Sequence, residues 1–191
     1  MTDNGGFTLN GIAMSTFSAY LAYGPDQPLA PGTRDRTDTI PGRPGQYWYG
    51  SDAGPRSFRL PCRFLGHASP QELDTLTRAL AAHLVDVHGR PRRLALVFDD
   101  SPGVAYRVRY GGQISFDRAW LGHSAFDLDL IADDPYGYER AEHDTDTITT
   151  SPGEIEIESS GNISTPAKVS ITNNGASGIT GFTVKLRYEV T

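Results

Sequence analysis

Residues 56–64, Arg-Ser-Phe-Arg-Leu-Pro-Cys-Arg-Phe, decide the class of fold. Hydrophobic side chains occupy every second position of this segment, and Arg59, Pro61 and Arg63 stand between them. A period of two predicts a strand with one buried face and one face in solvent. Pro61 has no N–H to donate to a neighbouring strand, which favours an edge strand or a position near a bulge.

Other segments of the chain also have the composition of strands. Residues 93–98 are nearly all apolar and predict a central strand, and residues 125–131 alternate between apolar and acidic side chains. The pair Asn10-Gly11 predicts a hairpin turn, because both residue types tolerate positive φ. The 21 glycines and 13 prolines among 191 residues favour short strands joined by many turns.

One amphipathic helix is predicted over residues 69–87. Ser69 is suited to the N-cap, Pro70 to the first helical position, and Glu72 completes a capping box. Apolar side chains then recur at spacings of three and four, which gives the helix one apolar face. These side chains are Leu73, Leu76, Leu80, Leu84 and Val87. Together the segments predict a mainly β, α+β domain of four or five strands and one helix.

Two regions are expected along the chain. The N-terminal domain spans residues 1–138, and residues 139–191 begin with a polar linker rich in Thr and Asp. Three short strands are predicted after this linker, at 154–158, 167–172 and 182–190. Because about fifty residues are marginal for an independent fold without disulfides, we expect a short β extension of the first domain or of a neighbouring subunit.

Composition and motifs exclude several classes of protein. The net charge of −6 argues against a protein that wraps nucleic acid by charge alone. Cys62 is the only cysteine, so neither an internal disulfide nor a cysteine zinc site is expected, and its apolar neighbours predict a small buried side chain. No secretory signal and no transmembrane helix are expected. No histidine spacing or nucleophile motif is found, so no catalytic, cofactor-binding or metal-binding residue is predicted.

The residues from 24 to 45 are rich in proline and glycine and predict a long loop, which is either functional or ordered by a partner. The aromatic cluster that follows it can pack on a protein partner, stack on a sugar or fold onto its own sheet. We predict a protein interface that combines the basic residues of the loop, this cluster and the exposed side of the strand at 56–64. The interface residues are Arg34, Arg36, Arg43, Tyr47, Trp48, Tyr49, Arg59 and Arg63.

Taken in order, six segments resemble the distal tail proteins (Dit) of long-tailed, non-contractile bacteriophages and the related phage tail-component family. The segments are Phe-Thr-Leu-Asn-Gly-Ile at 7–12, the basic and Pro-Gly-rich stretch at 34–45, the helix, Leu-Val-Phe-Asp-Asp at 96–100, Trp-Leu-Gly with Phe126 at 120–126, and Asp-Asp-Pro-Tyr-Gly-Tyr at 133–138. The resemblance covers roughly residues 5–138.

The resemblance implies a β-sandwich or barrel flanked by one helix. It also implies that six copies form a ring at the tip of the tail. The ring joins the tail tube protein to the tail-associated hub protein, and the tape measure and receptor-binding proteins are further possible partners. No cofactor, no sequence-specific nucleic acid binding and no membrane are implied. The protein is expected in the virion, at the tail tip, after synthesis in the cytoplasm of the bacterial host. Many members carry a larger galectin-like second domain, of which residues 139–191 resemble a reduced form.

Three classes of function remain open for this sequence. A structural tail-tip protein without catalysis is favoured, and Arg43→Glu is then expected to block ring assembly while the monomer stays folded. A carbohydrate-binding module for host surface glycans is the alternative, which the aromatic cluster at 47–49 supports. A hydrolase has no convergent acid–base pair or nucleophile in its favour.

Overall fold

The computed structural model describes residues 6–67, 69–117, 124–140, 170–178, 181 and 183. The chain divides into two units, residues 1–142 and 143–191. The strands are β1 (Phe7–Leu9), β2 (Ile12–Ala13), β3 (Ala19–Leu21), β4 (Thr33–Asp38), β5 (Tyr47–Ala53), β6 (Arg56–Phe64), β7 (Leu94–Phe98), β8 (Val104–Tyr110), β9 (Phe116–Asp117), β10 (Ser124–Ala132) and β11 (Gly137–Glu139). The helix α1 spans Pro70–Leu84, and a short 3-10 helix spans Met14–Phe17.

Nine of these strands form one sheet in the order β2-β1-β7-β8-β10-β6-β3, in which β11 also pairs with β8 and β9 with β10. Strand β10 joins the two halves of this sheet. It pairs antiparallel with β6 along its whole length, and near its end Leu130 and Ile131 pair with β8. The described part of the chain is therefore mainly β with one α-helix, as the sequence predicted.

The two halves of the sheet share one core. The ring of Phe58 on β6 lies 5.9 Å from that of Phe98 on β7 and 5.0 Å from that of Tyr106 on β8, measured between centroids. Farther along, Phe64 stacks on Phe126 at 4.9 Å. Phe58, Leu60, Cys62 and Phe64 of β6 are buried, as their alternation predicted, so the period of two correctly identified the core face of this strand.

Helix α1 begins at the predicted residue and ends earlier than predicted. The Ser69 side chain accepts a hydrogen bond from the backbone N–H of Glu72, and the apolar face of the helix is buried. The predicted extension to Val87 is wrong, since this side chain is 89% exposed. The Asp86 carboxylate accepts hydrogen bonds from the N–H groups of His88 and Arg90, each at 2.8 Å, and this turn reverses the chain before Val87 can join the helix.

The N-cap supports a stability prediction. Ser69→Ala removes the acceptor for the Glu72 N–H, at 3.2 Å, and is expected to lower the free energy of unfolding by about 1 kcal/mol. Urea denaturation followed by circular dichroism measures this change. Thr75→Ala, at an exposed helical position, is the matched control and is expected to be neutral or slightly stabilising. Equal stability of the Ser69 variant and the wild type would contradict the capping role.

The prediction that residues 56–64 form an edge strand is wrong. Strand β10 covers one side of β6, while β3 pairs with Cys62–Phe64 on the other side and Asp26 forms a bridge to Arg59. The N–H of Ala22 donates to the carbonyl of Pro61 at 2.8 Å, so the proline nitrogen faces the same side. Strand β3 ends beside this nitrogen, so the N–H that proline lacks would have had no partner on β3.

The predicted loop at 24–45 is also partly wrong, because β4 lies within it and pairs with β5 in a separate two-stranded sheet. Of the three strands predicted after residue 153, those at 154–158 and 182–190 lie outside the described residues, apart from residue 183. Residues 170–172 of the strand at 167–172 are described and are not in a strand. The boundary after residue 138 stays a prediction. Among the described residues, no helix is long and apolar enough to cross a bilayer.

Candidate functional site

The hairpin formed by β4 and β5, residues 33–53, is called the arm. All of β4 and most of β5 are exposed. The pairing is regular from Thr33↔Ala53 to Asp35↔Ser51 and then shifts, so that Arg36 lies opposite two residues, Tyr49 and Gly50. This is a β-bulge, and Gly50 has the positive φ of +117° that the irregular backbone requires. The arm is thus an ordered ribbon that presents its side chains to solvent.

One face of the arm carries a charged ladder. The Arg36 guanidinium donates to the Asp52 carboxylate from Nε at 3.0 Å and from Nη2 at 2.7 Å, while Arg34 lies 3.9 Å from the same carboxylate. The hydrogen bond from Arg36 lowers the pKa of Asp52 below its usual value. Because these groups are exposed, the pair contributes little to stability. Arg36 is therefore already engaged within the arm, and Arg34 keeps most of its side chain free.

On the opposite face of the arm, the indole N–H of Trp48 is hydrogen-bonded. The Ser51 hydroxyl donates to the Asp35 carboxylate, and the Trp48 Nε1–H donates to the Ser51 oxygen at 3.2 Å. Trp48 nevertheless remains 64% exposed, and its neighbour Tyr49 is 67% exposed. The arm thus presents two large aromatic side chains to solvent.

The tip of the arm is ordered by Arg43. Its guanidinium lies 4.8 Å over the centroid of the Tyr47 ring and donates a hydrogen bond to the Tyr47 hydroxyl. The Arg43 N–H donates to the carbonyl of Ile40 at 3.1 Å and closes a turn. Arg43 and Tyr47 therefore shape the tip through contacts with each other.

The remaining two predicted residues, Arg59 and Arg63, lie on the outward face of β6. Arg59 donates to the Asp127 carboxylate on β10 at 2.5 Å. Arg63 lies beside a groove of about 470 Å³ on this face. The groove is lined by Ala22, Tyr23, Pro61, Cys62, Arg63, Ser115, Ala125, Phe126 and Asp127. The structure thus divides the eight predicted residues between two surfaces, six on the arm and two on the outward face of β6, where Arg63 lines the groove.

Cys62 is buried, as its alternation with apolar neighbours predicted. Burial, together with the nearby charge of Asp127, raises the pKa of its thiol to about 12. The thiolate, which is the reactive form, is therefore scarce at neutral pH.

Sequence reasoning missed three contributors to these surfaces. Asp52 orders the arm through Arg36, but this pairing becomes visible only once residues 33–53 are known to be a hairpin. Tyr23 and Asp127 line the groove because β3, β6 and β10 are neighbours, and no spacing in the sequence shows that order. Within the part of the chain that the structure describes, no group of three or more His, Cys, Asp or Glu side chains is placed to hold a metal ion.

The pKa of Asp52 tests the charged ladder of the arm. A lowered pKa means that the carboxylate's contribution to stability is complete above the unfolded value of about 3.9 and is lost as the pH falls through the folded value. Arg36→Gln is expected to return the pKa of Asp52 toward about 3.9, as measured by NMR titration of the carboxyl carbon. Arg109→Gln is the matched control, since Arg109 lowers the pKa of Asp133 instead. An unchanged Asp52 titration in Arg36→Gln would contradict the pairing.

Comparison with known proteins gives a family model and a fold. Residues 23–129 match the family model described as the phage tail protein RIFT-related domain. None of the curated proteins matches the sequence. Seven chains of solved structures match, among them the crystal structure of the Dit protein of SPP1, which is described as a paradigm of the hub adsorption apparatus in phages that infect Gram-positive bacteria.

The likeness to the SPP1 protein concerns the fold. The TM-score is 0.60 at 16% sequence identity, over 71% of this chain and 52% of the other. This chain therefore matches only about half the length of the SPP1 protein.

Proposed function

This chain belongs to the phage tail protein RIFT-related domain family, and we propose that it is a structural component of the tail tip of a long-tailed bacteriophage that assembles as a homohexameric ring. The observation that carries this proposal is the arm, a ribbon that exposes Trp48 and Tyr49. Large aromatic side chains and arginines are enriched in the contact regions of protein interfaces. The arm has this composition.

Energetics favour a partner for the arm. Burial of a large apolar side chain stabilises by about 1.5–3 kcal/mol. In the single chain Trp48 and Tyr49 are largely exposed and gain little of this stabilisation. The same holds for Leu29, which is almost fully exposed in the loop before the arm. An association that buries these side chains would gain this free energy, reduced by the entropy lost on binding. Ring closure satisfies this need in every copy, because each copy meets the same neighbour.

The proposed ring continues the tail tube and joins it to the hub protein. The tape measure and receptor-binding proteins are further candidate partners. The net charge of −6 suits a channel through which DNA passes, since an acidic wall repels the phosphate backbone. The proposed role is structural and involves no catalysis, sequence-specific nucleic acid binding or membrane. The protein would be made in the host cytoplasm and built into the virion tail, with residues 139–191 as a short extension of the ring domain.

Electron microscopy of purified virions tests the proposed location. Phage are grown in which the chain carries a C-terminal hexahistidine tag, and the particles are labelled with nickel–gold. We expect gold at the end of the tail opposite the head. Gold on the head, or virions without the protein, would contradict the proposed role. Untagged phage are the control for non-specific labelling.

The exposed indole of Trp48 also supports a second candidate function, the binding of host surface glycans, because an aromatic face can stack on a sugar ring. Sedimentation of the protein with purified host cell walls tests this function. Binding that is lost in Trp48→Ala, while assembly is unaffected, would favour the carbohydrate-binding function. Absence of binding by the wild type would exclude it for that host.

A further inference from the structure

The arm and the groove are two different surfaces of one chain, and we propose that the groove of each copy receives the arm of a second copy. This inference rests on the ring proposed above and names the surface that the arm contacts. Within a single chain the two surfaces do not meet: no arm residue lines the groove, and the arm aromatics remain exposed. Any contact between the arm and the groove therefore forms between copies.

The groove is open to solvent and has a partly apolar lining. Pro61 and Ala125 form part of this lining, and both are short side chains on the outward faces of β6 and β10. The exposed ring of Tyr23 adds an aromatic wall. The groove's volume of about 470 Å³ leaves room for an aromatic side chain of the arm.

The side chains around the groove complement those of the arm. None of the ion pairs among the described residues involves Arg63, and a guanidinium stacks favourably on an indole or a phenol ring. The exposed aromatic side chains of the arm supply such rings. On the same face Asp127 is already paired with Arg59, whereas the exposed Asp129 can receive Arg34, whose side chain is 82% exposed. The arm thus supplies aromatic rings for Arg63 and a cation for Asp129.

The geometry of such a contact leads to a ring. The arm of one copy and the groove of the next are different surfaces, so the contact is heterologous and each copy retains one free arm and one free groove until the assembly closes. A two-fold dimer that used one patch on both copies would not need both surfaces.

Disulfide trapping tests the contact directly. The double variant Trp48→Cys/Tyr23→Cys is assembled, its mass is checked by light scattering, and it is then mildly oxidised. We expect a ladder of covalent multimers on a non-reducing gel. Both double variants are made in a Cys62→Ala background, because Cys62 is a free cysteine that, although buried, also lines the groove. The control is Trp48→Cys/Thr75→Cys, in which the second cysteine lies on the exposed face of α1 and is expected to give no ladder.

The outcomes separate this inference from the ring itself. Assembly without trapping above the control level would overturn the groove contact and leave the ring proposal standing, as would a disulfide formed within one chain. A wild type that stays monomeric would remove both proposals. If the cysteines themselves prevent assembly, Arg63→Glu gives the answer: we expect it to weaken assembly at least tenfold, whereas Arg78→Glu on α1 should not. Equal assembly of these two variants would overturn the contact.

Discussion

Phe58→Ala is expected to lower the free energy of unfolding by about 3–5 kcal/mol. Phe58 is 1% exposed and its ring contacts Phe98 and Tyr106, so it joins β6 to β7 and β8. It also supports Arg56, whose guanidinium lies 5.3 Å over the ring and donates a hydrogen bond to the carbonyl of Pro28. Truncation therefore leaves a cavity where the two halves of the sheet meet.

Such a loss is large for a domain whose total stability is about 5–15 kcal/mol. A chain of this length is expected to melt about 6–20 °C lower, as measured by differential scanning calorimetry. Val87→Ala is the matched control, because it removes an exposed apolar side chain outside the arm and should change the stability by no more than about 0.5 kcal/mol. A Phe58 variant that melts like the wild type would show that the core is assigned wrongly.

The double variant Trp48→Ala/Tyr49→Ala is expected to abolish ring assembly and to leave the monomer folded. Aromatic residues at the centre of an interface contribute about 2 kcal/mol or more each, which corresponds to roughly 30-fold in affinity for each residue at each contact. The effect grows in a ring because every contact is weakened. Both side chains are exposed in the single chain, so the fold itself loses little.

Sedimentation velocity at matched concentrations measures this effect. Tyr136→Ala is the control. Tyr136 is likewise an exposed aromatic residue, at 40%, but it lies between β10 and β11, outside the arm. We expect the control to assemble like the wild type and the arm variant to sediment as a monomer. Equal assembly of both would show that the arm aromatics do not form the interface.

Elements with a buried face could be predicted from the sequence. The alternation of residues 56–64 identified β6, and the Ser69-Pro70 start with its leucine stripe identified α1, because burial imposes these periods. The end of α1 was missed, since the Asp86 turn depends on local side-chain hydrogen bonds rather than on a period. The resemblance to the phage tail-component family is confirmed by the family match over residues 23–129, and the fold is shared with the SPP1 Dit protein.

The arm could not be predicted from such a pattern. Strand β4, Thr-Arg-Asp-Arg-Thr-Asp, is exposed at every position and so carries no alternation of apolar and polar residues. Its order comes from pairing with β5 and from the contact between Arg36 and Asp52, which are far apart in sequence. The edge position of β6 was mispredicted for a related reason: Pro61 excludes a hydrogen bond, but only the three-dimensional structure shows that β3 ends where that bond would lie.

The mass of the purified wild-type protein in solution tests the central claim most directly. Light scattering over a concentration series distinguishes a single chain of 20.7 kDa from a closed ring. We expect a species of six copies that persists on dilution, because each copy in a closed ring is held by two contacts. A single chain at every concentration would contradict the claim that this protein forms the ring by itself through its arm.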